Sequence, residues 1–193
     1  MLMKCVSTYL AGPIDVKKFQ ECKDWRNQIG KNLADMGIYA MNPLGNGGGD
    51  RISPELRQRL HNANILGDID TIRDIVSNII MPPDLDMVAG CSFLTLWIPE
   101  DNGYEICGSY GEITLARFLN KPVYIVTERK IKPCQLPNWA VGCSTEIFFS
   151  WEGYLNYVEK RWTVKPQLKE LEEKIKSKDW LSKLKDEHKW KTI

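Results

Sequence analysis

The stretch from Cys107 to Thr127, CGSYGEITLARFLNKPVYIVT, places one carboxylate, that of Glu112, between glycines and an apolar run. The pattern predicts a bend over residues 108–111, a short helix that Glu112 opens, and a buried strand over residues 123–126. A helix N-terminus favours an ionised carboxylate, typically by about 0.3–1 kcal/mol. Such a carboxylate at a ligand-binding edge can attack a sugar carbon and hold a glycosyl ester.

The same residues also fit a purely structural role for Glu112. Ser109-x-x-Glu112 matches a capping box, in which the serine oxygen and the glutamate satisfy free backbone N–H groups at a helix start. The local sequence leaves the two interpretations open. The elements that surround the stretch must decide between them.

The first 41 residues predict a β-α-β unit. Residues 3–10 form a strand that Ala11-Gly12-Pro13 ends, and residues 38–41 form a second strand after Gly37. The helix between them has one apolar stripe: Phe19, Cys22, Trp25, Ile29, Leu33 and Met36. This unit is typical of parallel, doubly wound sheets.

The middle of the chain predicts further helices and a third strand. A helical pattern covers residues 53–80, with a possible break at Gly67, and Pro82-Pro83 predicts an extended entry into a single turn over residues 84–90. Residues 92–98 form the third strand. The loops at 11–15, at 99–111 and after Val126 are therefore expected to converge at the carboxyl edge of the sheet, where ligands bind in such folds.

The last third of the chain adds a strand at 146–149, a helix at 151–162 and a charged amphipathic segment. We predict a flavodoxin-like or Rossmann-like α/β three-layer sandwich over residues 1–163, with a helical C-terminal extension at 164–193. That extension is expected to pack on its own domain or on a partner subunit. The glycine run from Gly45 to Asp50 lacks the spacing of phosphate-binding motifs and favours a surface loop.

Composition excludes several classes of function. The net charge is +1, from 26 basic and 25 acidic side chains, so no global field indicates nucleic acid or a membrane surface. With no apolar run of about 20 residues and no signal-peptide pattern, we expect a soluble, cytoplasmic protein. The six cysteines lack a CxxC and the two histidines lack partners at ligand spacing, so no metal site is expected.

Three motifs together resemble the nucleoside 2-deoxyribosyltransferase family, which includes the nucleoside 5′-monophosphate N-glycosidases. They are Tyr9-Leu10-Ala11-Gly12-Pro13, Asp84-Leu85 before an apolar strand, and Gly108-Ser109-Tyr110-Gly111-Glu112-Ile113 with the following Ala116 and Lys121-Pro122-Val123. Asp24-Trp25-Arg26 is also similar to phage and bacterial members. The resemblance covers roughly residues 5–127.

The resemblance implies a catalytic role for each of three residues. Glu112 would be the nucleophile on the anomeric carbon, and Tyr9 would hydrogen-bond and position its carboxylate. Asp84 would contact the sugar or protonate the departing base. From the residues alone, Tyr9 also fits a core position at a strand end, and Asp84 also fits a helix N-cap.

The substrate-binding residues that the resemblance implies are Gly12, Pro13, Asp15, Asp86, Gly108 and Ser109. The glycines would let the backbone approach the substrate, and Ser109 would bind a phosphate or a sugar hydroxyl, or cap the helix. Asp86 is a neighbouring substitute for Asp84. The carboxylate supplies the covalent chemistry, so no cofactor is expected. The resemblance also implies a homo-oligomer, a dimer or larger.

The sequence departs from both branches of the family. Ile106 stands where the transferases carry an aspartate, and Pro13 stands where the monophosphate hydrolases carry a serine. The expected reaction is therefore cleavage of the N-glycosidic bond of a (deoxy)nucleoside or its 5′-monophosphate, with transfer to another base or to water. The alternative is a non-catalytic protein on the same fold that binds a nucleotide or an NAD-derived signal.

Overall fold

The protein forms one parallel sheet in a computed structural model that describes residues 5–14, 19–45, 50–99, 107–127 and 136–163. The strands are β1 (Ser7–Ala11), β2 (Tyr39–Met41), β3 (Phe93–Ile98), β4 (Val123–Thr127) and β5 (Glu146–Phe148). Their spatial order is β2-β1-β3-β4-β5, and every neighbouring pair is parallel. This is the flavodoxin-like order, and it confirms the predicted fold class.

Helices cover both faces of the sheet. They are α1 (Phe19–Asp35), α2 (Pro54–Leu66), α3 (Ile69–Ile75), α4 (Met81–Gly90), α5 (Cys107–Phe118), α6 (Asn138–Cys143) and α7 (Trp151–Trp162). Residues of α1 and α7 share one core cluster with the sheet, and residues of α4, α5 and α6 share the other. The result is a three-layer sandwich in which α5 packs on the opposite face from α1.

Alternation along β1 decides which side chains face which layer. Tyr9 and Ala11 belong to the cluster on the α4–α5 face, whereas Leu10 belongs to the cluster on the α1–α7 face. Every residue of β1 is buried, as is every residue of β4. Central strands covered on both faces are buried in this way.

The long helical region after β2 is confirmed, with the break at Gly67. Gly67 has φ of 66°, the left-handed conformation that ends α2, and the Asp68 side chain accepts a hydrogen bond from the backbone N–H of Thr71 to begin α3. Glycine is the residue that adopts this conformation without steric cost.

The prediction of an extended entry at Pro82-Pro83 is wrong. Both prolines lie in the first turn of α4, which follows a π-helical turn (Val76–Ile80) without interruption. In that turn the N–H of Met81 bonds to the carbonyl of Val76. The first turn of a helix needs no N–H partners within the helix, so two prolines are tolerated there.

Several predicted boundaries also differ from the structure, most of them by one residue. β1 begins at Ser7, after Cys5 and Val6, and α5 begins at Cys107, so residues 108–111 are helical and do not form a bend. Buried positions of α5, such as Ile113 and Ala116, pack on the sheet, and this packing outweighs the weak helix propensity of two glycines.

Several sequence-based predictions lie outside the described residues: Asp15, Ile106 and the segment 164–193, with the domain boundary placed there. They stay predictions. In the described part of the chain, no helix is both long and apolar enough to cross a bilayer.

Candidate active site

The site is organised by a hydrogen bond between β1 and α5. The Tyr9 hydroxyl donates to Oε1 of Glu112 over 2.5 Å. Tyr9 is fully buried and Glu112 is partly buried. β1 and β3 are adjacent, and the helices that follow them pack on opposite faces of the sheet. Ligands bind at such a position in open parallel sheets, and the Tyr9–Glu112 hydrogen bond joins the elements that meet there.

Burial raises the pKa of the Glu112 carboxyl to about 7. The Tyr9 hydrogen bond opposes this rise, the negative charge of Asp84 adds to it, and Arg26 and a hydrogen bond with Ser109 oppose it. The carboxyl therefore changes its charge near neutral pH, and the ionised fraction, which is the form that can attack, grows as the pH rises through about 7.

Tyr9 stays protonated under the same conditions. Burial, together with the negative charges of Glu112 and Asp84, raises the pKa of the Tyr9 phenol well above its ordinary value. The hydroxyl therefore remains a donor, and it can only orient and stabilise the ionised Glu112 carboxylate.

Asp84 supplies a second carboxyl on the α4 side of the site. Its side chain is largely buried, and Nη2 of Arg51 lies 2.6 Å from its Oδ1. Burial raises the pKa of Asp84, and the Arg51 charge and hydrogen bond work against that rise. Asp84 is the fourth residue of α4, which begins at Met81, so it does not cap that helix.

Arg26 holds the loop that follows β1. It is 1% exposed, and its guanidinium donates to the carbonyls of Leu10 at 3.2 Å, Gly12 at 2.9 Å and Cys22 at 2.8 Å. A further contact to the carbonyl of Pro13 measures 3.5 Å. Burial lowers the pKa of Arg26 to about 10, which leaves it charged at neutral pH.

Gly12 lies against two tryptophans at the end of β1. A Cβ there would be 3.0 Å from a ring carbon of Trp25 and 3.2 Å from the carbonyl oxygen of Trp97. The structure therefore gives Gly12 a packing reason that is independent of substrate. Pro13 is buried beside it.

Ser109 and Gly108 lie in the first turns of α5. Ser109 is buried and hydrogen-bonds Glu112, whereas a Cβ on Gly108 would meet open space. Glu112 is the sixth residue of α5, so it does not form the capping box at a helix start that the local sequence leaves open as an alternative. The helix begins earlier, and Glu112 is bonded to Tyr9 of another element.

The structure brings Tyr9, Asp84, Ser109 and Glu112 together, but Asp86 is not part of this group. Asp86 is exposed on α4, and residues two apart on a helix do not share a face. In the described part of the chain, no three His, Cys, Asp or Glu side chains are grouped as metal ligands.

Sequence reasoning gave no role to Arg51, and it named Arg26 only as part of the Asp24-Trp25-Arg26 motif, without a role in the site. Arg26 had a signal, because it lies four residues after Cys22 and three before Ile29, within the apolar stripe of α1. A cation in a buried stripe requires acceptors in the protein. Arg51 had no such signal, since its partner Asp84 is 33 residues away.

No protein-family model matches the chain, and no curated protein matches it in sequence. Solved structures are similar in fold. A conserved protein from Enterococcus faecalis V583 has a TM-score of 0.50 at 15% identity, over 82% of this chain and 99% of that one. This likeness shows the shared fold.

Two further structures have lower scores. A 2-deoxyribosyltransferase from Bacillus psychrosaccharolyticus has a TM-score of 0.49 at 15% identity, covering 79% of this chain and 92% of its own. A CMP N-glycosidase from Clostridium botulinum has a TM-score of 0.42 at 17% identity, covering 79% and 97%.

Proposed function

We propose that the protein cleaves the N-glycosidic bond of a (deoxy)nucleoside or of its 5′-monophosphate, with Glu112 as the nucleophile. The observation that carries the proposal is the 2.5 Å hydrogen bond from Tyr9 to Glu112. It pairs a carboxylate with a permanent donor at the ligand-binding edge of the sheet. The sequence resemblance assigns the same two residues to this chemistry.

The reaction proceeds in two displacements. An oxygen of the ionised Glu112 carboxylate bonds to the anomeric carbon, and the bond from that carbon to the base nitrogen breaks with its electron pair on the base. The base then gains a proton. In the second step, water or another base attacks the anomeric carbon and releases Glu112.

The proposal is tested by trapping the glycosyl ester. The protein is incubated with a panel of deoxynucleosides, ribonucleosides and their 5′-monophosphates, free base is followed by chromatography, and quenched protein is digested for mass spectrometry. Base release with one added sugar on the Glu112 peptide supports the proposal. Base release with the sugar on another residue, or with no ester under rapid quenching, contradicts the nucleophile; no release from any substrate contradicts the activity.

The rate should depend on pH through Glu112, and Tyr9 should set that dependence. In the wild type, kcat/KM rises as pH increases toward about 7, because the ionised form attacks. Tyr9→Phe removes a donor that lowers the pKa of Glu112, so the acid limb moves to higher pH. We expect a roughly tenfold or larger loss at pH 6 that is smaller at pH 8.

Tyr157→Phe is the matched control for this prediction, because Tyr157 lies on α7, on the other face of the sheet. Its pH profile should follow the wild type. A Tyr9→Phe profile with an unmoved acid limb would show that the phenol does not act on the Glu112 carboxylate.

A non-catalytic binding protein is the second candidate. It is favoured by Pro13, which is buried with its carbonyl toward Arg26 and offers no hydroxyl where the hydrolases carry a serine. Calorimetry that detects tight nucleotide binding without base release would favour this candidate. Assembly as a homo-oligomer, packing of residues 164–193 on their own domain or on a partner subunit, and a cytoplasmic location remain parts of the proposal.

A further inference from the structure

Arg51 is anchored beside the site by the backbone that follows β2. Its N–H donates to the carbonyl of Leu44 over 3.1 Å, and the N–H of Leu44 donates to Oδ1 of Asn42 over 2.9 Å. β2 neighbours β1 in the sheet. The residues on either side of the glycine run, Leu44 and Arg51, are therefore held together just after β2, the strand that pairs with β1.

The neighbouring Asp50 ties the same segment to two helices. It accepts from Nζ of Lys23 on α1 at 2.7 Å and from Nη1 of Arg57 on α2 at 3.1 Å. The next residue, Arg51, makes its ion pair with Asp84 on α4. The dipeptide thus connects three elements by charge.

The guanidinium of Arg51 is committed to Asp84. Its Nη2 lies 2.6 Å from the Asp84 carboxylate, and among the described residues its buried Nε and Nη1 have no acceptor. A charge-assisted contact of this length is strong and directional. It fixes Oδ1 of Asp84, and a carboxylate has a second oxygen that can accept a hydrogen bond.

This contact bears on the two roles open to Asp84, which are contact with the sugar and protonation of the base. A cation at ion-pair distance favours the ionised form of a carboxyl. An ionised carboxylate accepts hydrogen bonds and has no proton to deliver. Asp84 is therefore suited to accept a hydrogen bond from a sugar hydroxyl.

We propose that Arg51 is a positioning residue that holds the Asp84 carboxylate ionised beside Tyr9 and Glu112, as the acceptor for a sugar hydroxyl of the substrate. The departing base then takes its proton from solvent. The sugar part of this inference rests on the proposed function, whereas the action of Arg51 on Asp84 does not.

Other charged groups also face this pair. Arg26 of α1 lowers the pKa of both carboxyls, and Asp84 raises that of Glu112. Tyr9 of β1 and Ser109 of α5 hydrogen-bond Glu112. Among the described residues, Arg51 is the one cation in ion-pair contact with Asp84.

The first test is independent of activity. Carbon-13 NMR of the side-chain carboxyls follows the titration of Asp84 in the wild type, Arg51→Gln, Arg51→Lys and the matched control Arg57→Gln, which loses an arginine from the same ionic cluster. We expect the pKa of Asp84 to rise in Arg51→Gln and to stay near the wild type in Arg51→Lys and Arg57→Gln. An unchanged Asp84 titration in a folded Arg51→Gln would overturn the inference.

The second test is a double-mutant cycle on kcat/KM. Arg51→Gln should reduce kcat/KM roughly tenfold in the wild type and leave it almost unchanged in the Asp84→Asn background, because Arg51 acts through Asp84. Equal losses in both backgrounds would mean that Arg51 contacts the substrate itself. Arg51→Lys, which keeps the charge, should restore part of the loss and gives a reading even where Arg51→Gln folds poorly.

Nucleoside analogues that lack the 3′- or the 5′-hydroxyl test the acceptor role. One of them should lose kcat/KM with the wild type, and this loss should disappear in Asp84→Asn. If neither analogue distinguishes the two proteins, the acceptor role is refuted. If no substrate releases base, the proposed function fails and the NMR titration still decides the role of Arg51.

Discussion

Replacing Glu112 with glutamine should lower the rate of base release at least about a thousandfold. An amide is no nucleophile toward an anomeric carbon, so the glycosyl ester cannot form. The amide oxygen can still accept the Tyr9 hydrogen bond, so the variant should keep the fold. The measurement is single-turnover release of free base, with circular dichroism to check the fold.

Glu152→Gln is the matched control, because Glu152 is an exposed carboxylate on α7. It should retain the wild-type rate. A Glu112→Gln variant that keeps a tenth or more of the wild-type activity would remove Glu112 as the nucleophile.

The Glu112→Gln variant should also be more stable than the wild type at neutral and higher pH. The folded-state pKa of Glu112 is about 7, above the ordinary 4.5, so ionisation is disfavoured by folding. The penalty is absent below pH 4.5, grows as pH rises, and is complete above pH 7. Partial exposure of the side chain reduces it, and we expect Glu112→Gln to gain about 2 kcal/mol at pH 8 and nothing near pH 4.

Arg26→Met should be the most destabilising single change in the site, at about 3–5 kcal/mol of unfolding free energy. The methionine fills part of the space but leaves the carbonyls of Leu10, Gly12 and Cys22 without their buried donor. Urea unfolding measures the loss. Base release should also fall, because the loop after β1 loses the side chain that holds it.

Arg59→Met is the control for Arg26, since Arg59 is more than half exposed and its contact to Asp74 measures 3.7 Å. A change within about 0.5 kcal/mol is expected there. An Arg26→Met variant as stable as Arg59→Met would show that the buried guanidinium does not stabilise the loop.

The fold was largely predictable from local patterns. The apolar stripe of α1 recurs with the period of a helix, and the β-branched run of β4 is typical of a buried strand. Both patterns lie within a single element, so the sequence alone predicts them. The boundaries at Cys107 and at Pro82-Pro83 were not predictable in this way. Glycine and proline indicate a break locally, but packing of α5 and the tolerance of a first helical turn outweigh that preference.

The candidate site was only partly predictable. The resemblance named Tyr9, Asp84 and Glu112, and the structure brings these three side chains together. Their proposed catalytic roles can therefore be tested by substitution. Ser109 hydrogen-bonds Glu112 from one turn before it in the same helix. From the local sequence alone, that serine fits either a substrate contact or a helix cap.

The sequence by itself determined the parallel α/β architecture, because it follows from the order and the side-chain periodicity of the elements, and the family resemblance pointed to the carboxylate on α5. Only the tertiary structure decided what surrounds that carboxylate. Tyr9 is 103 residues from Glu112, and Arg51 is 33 residues from Asp84. The charges and pKa values at the site depend on how close these side chains lie in space, and their separation along the chain does not specify that.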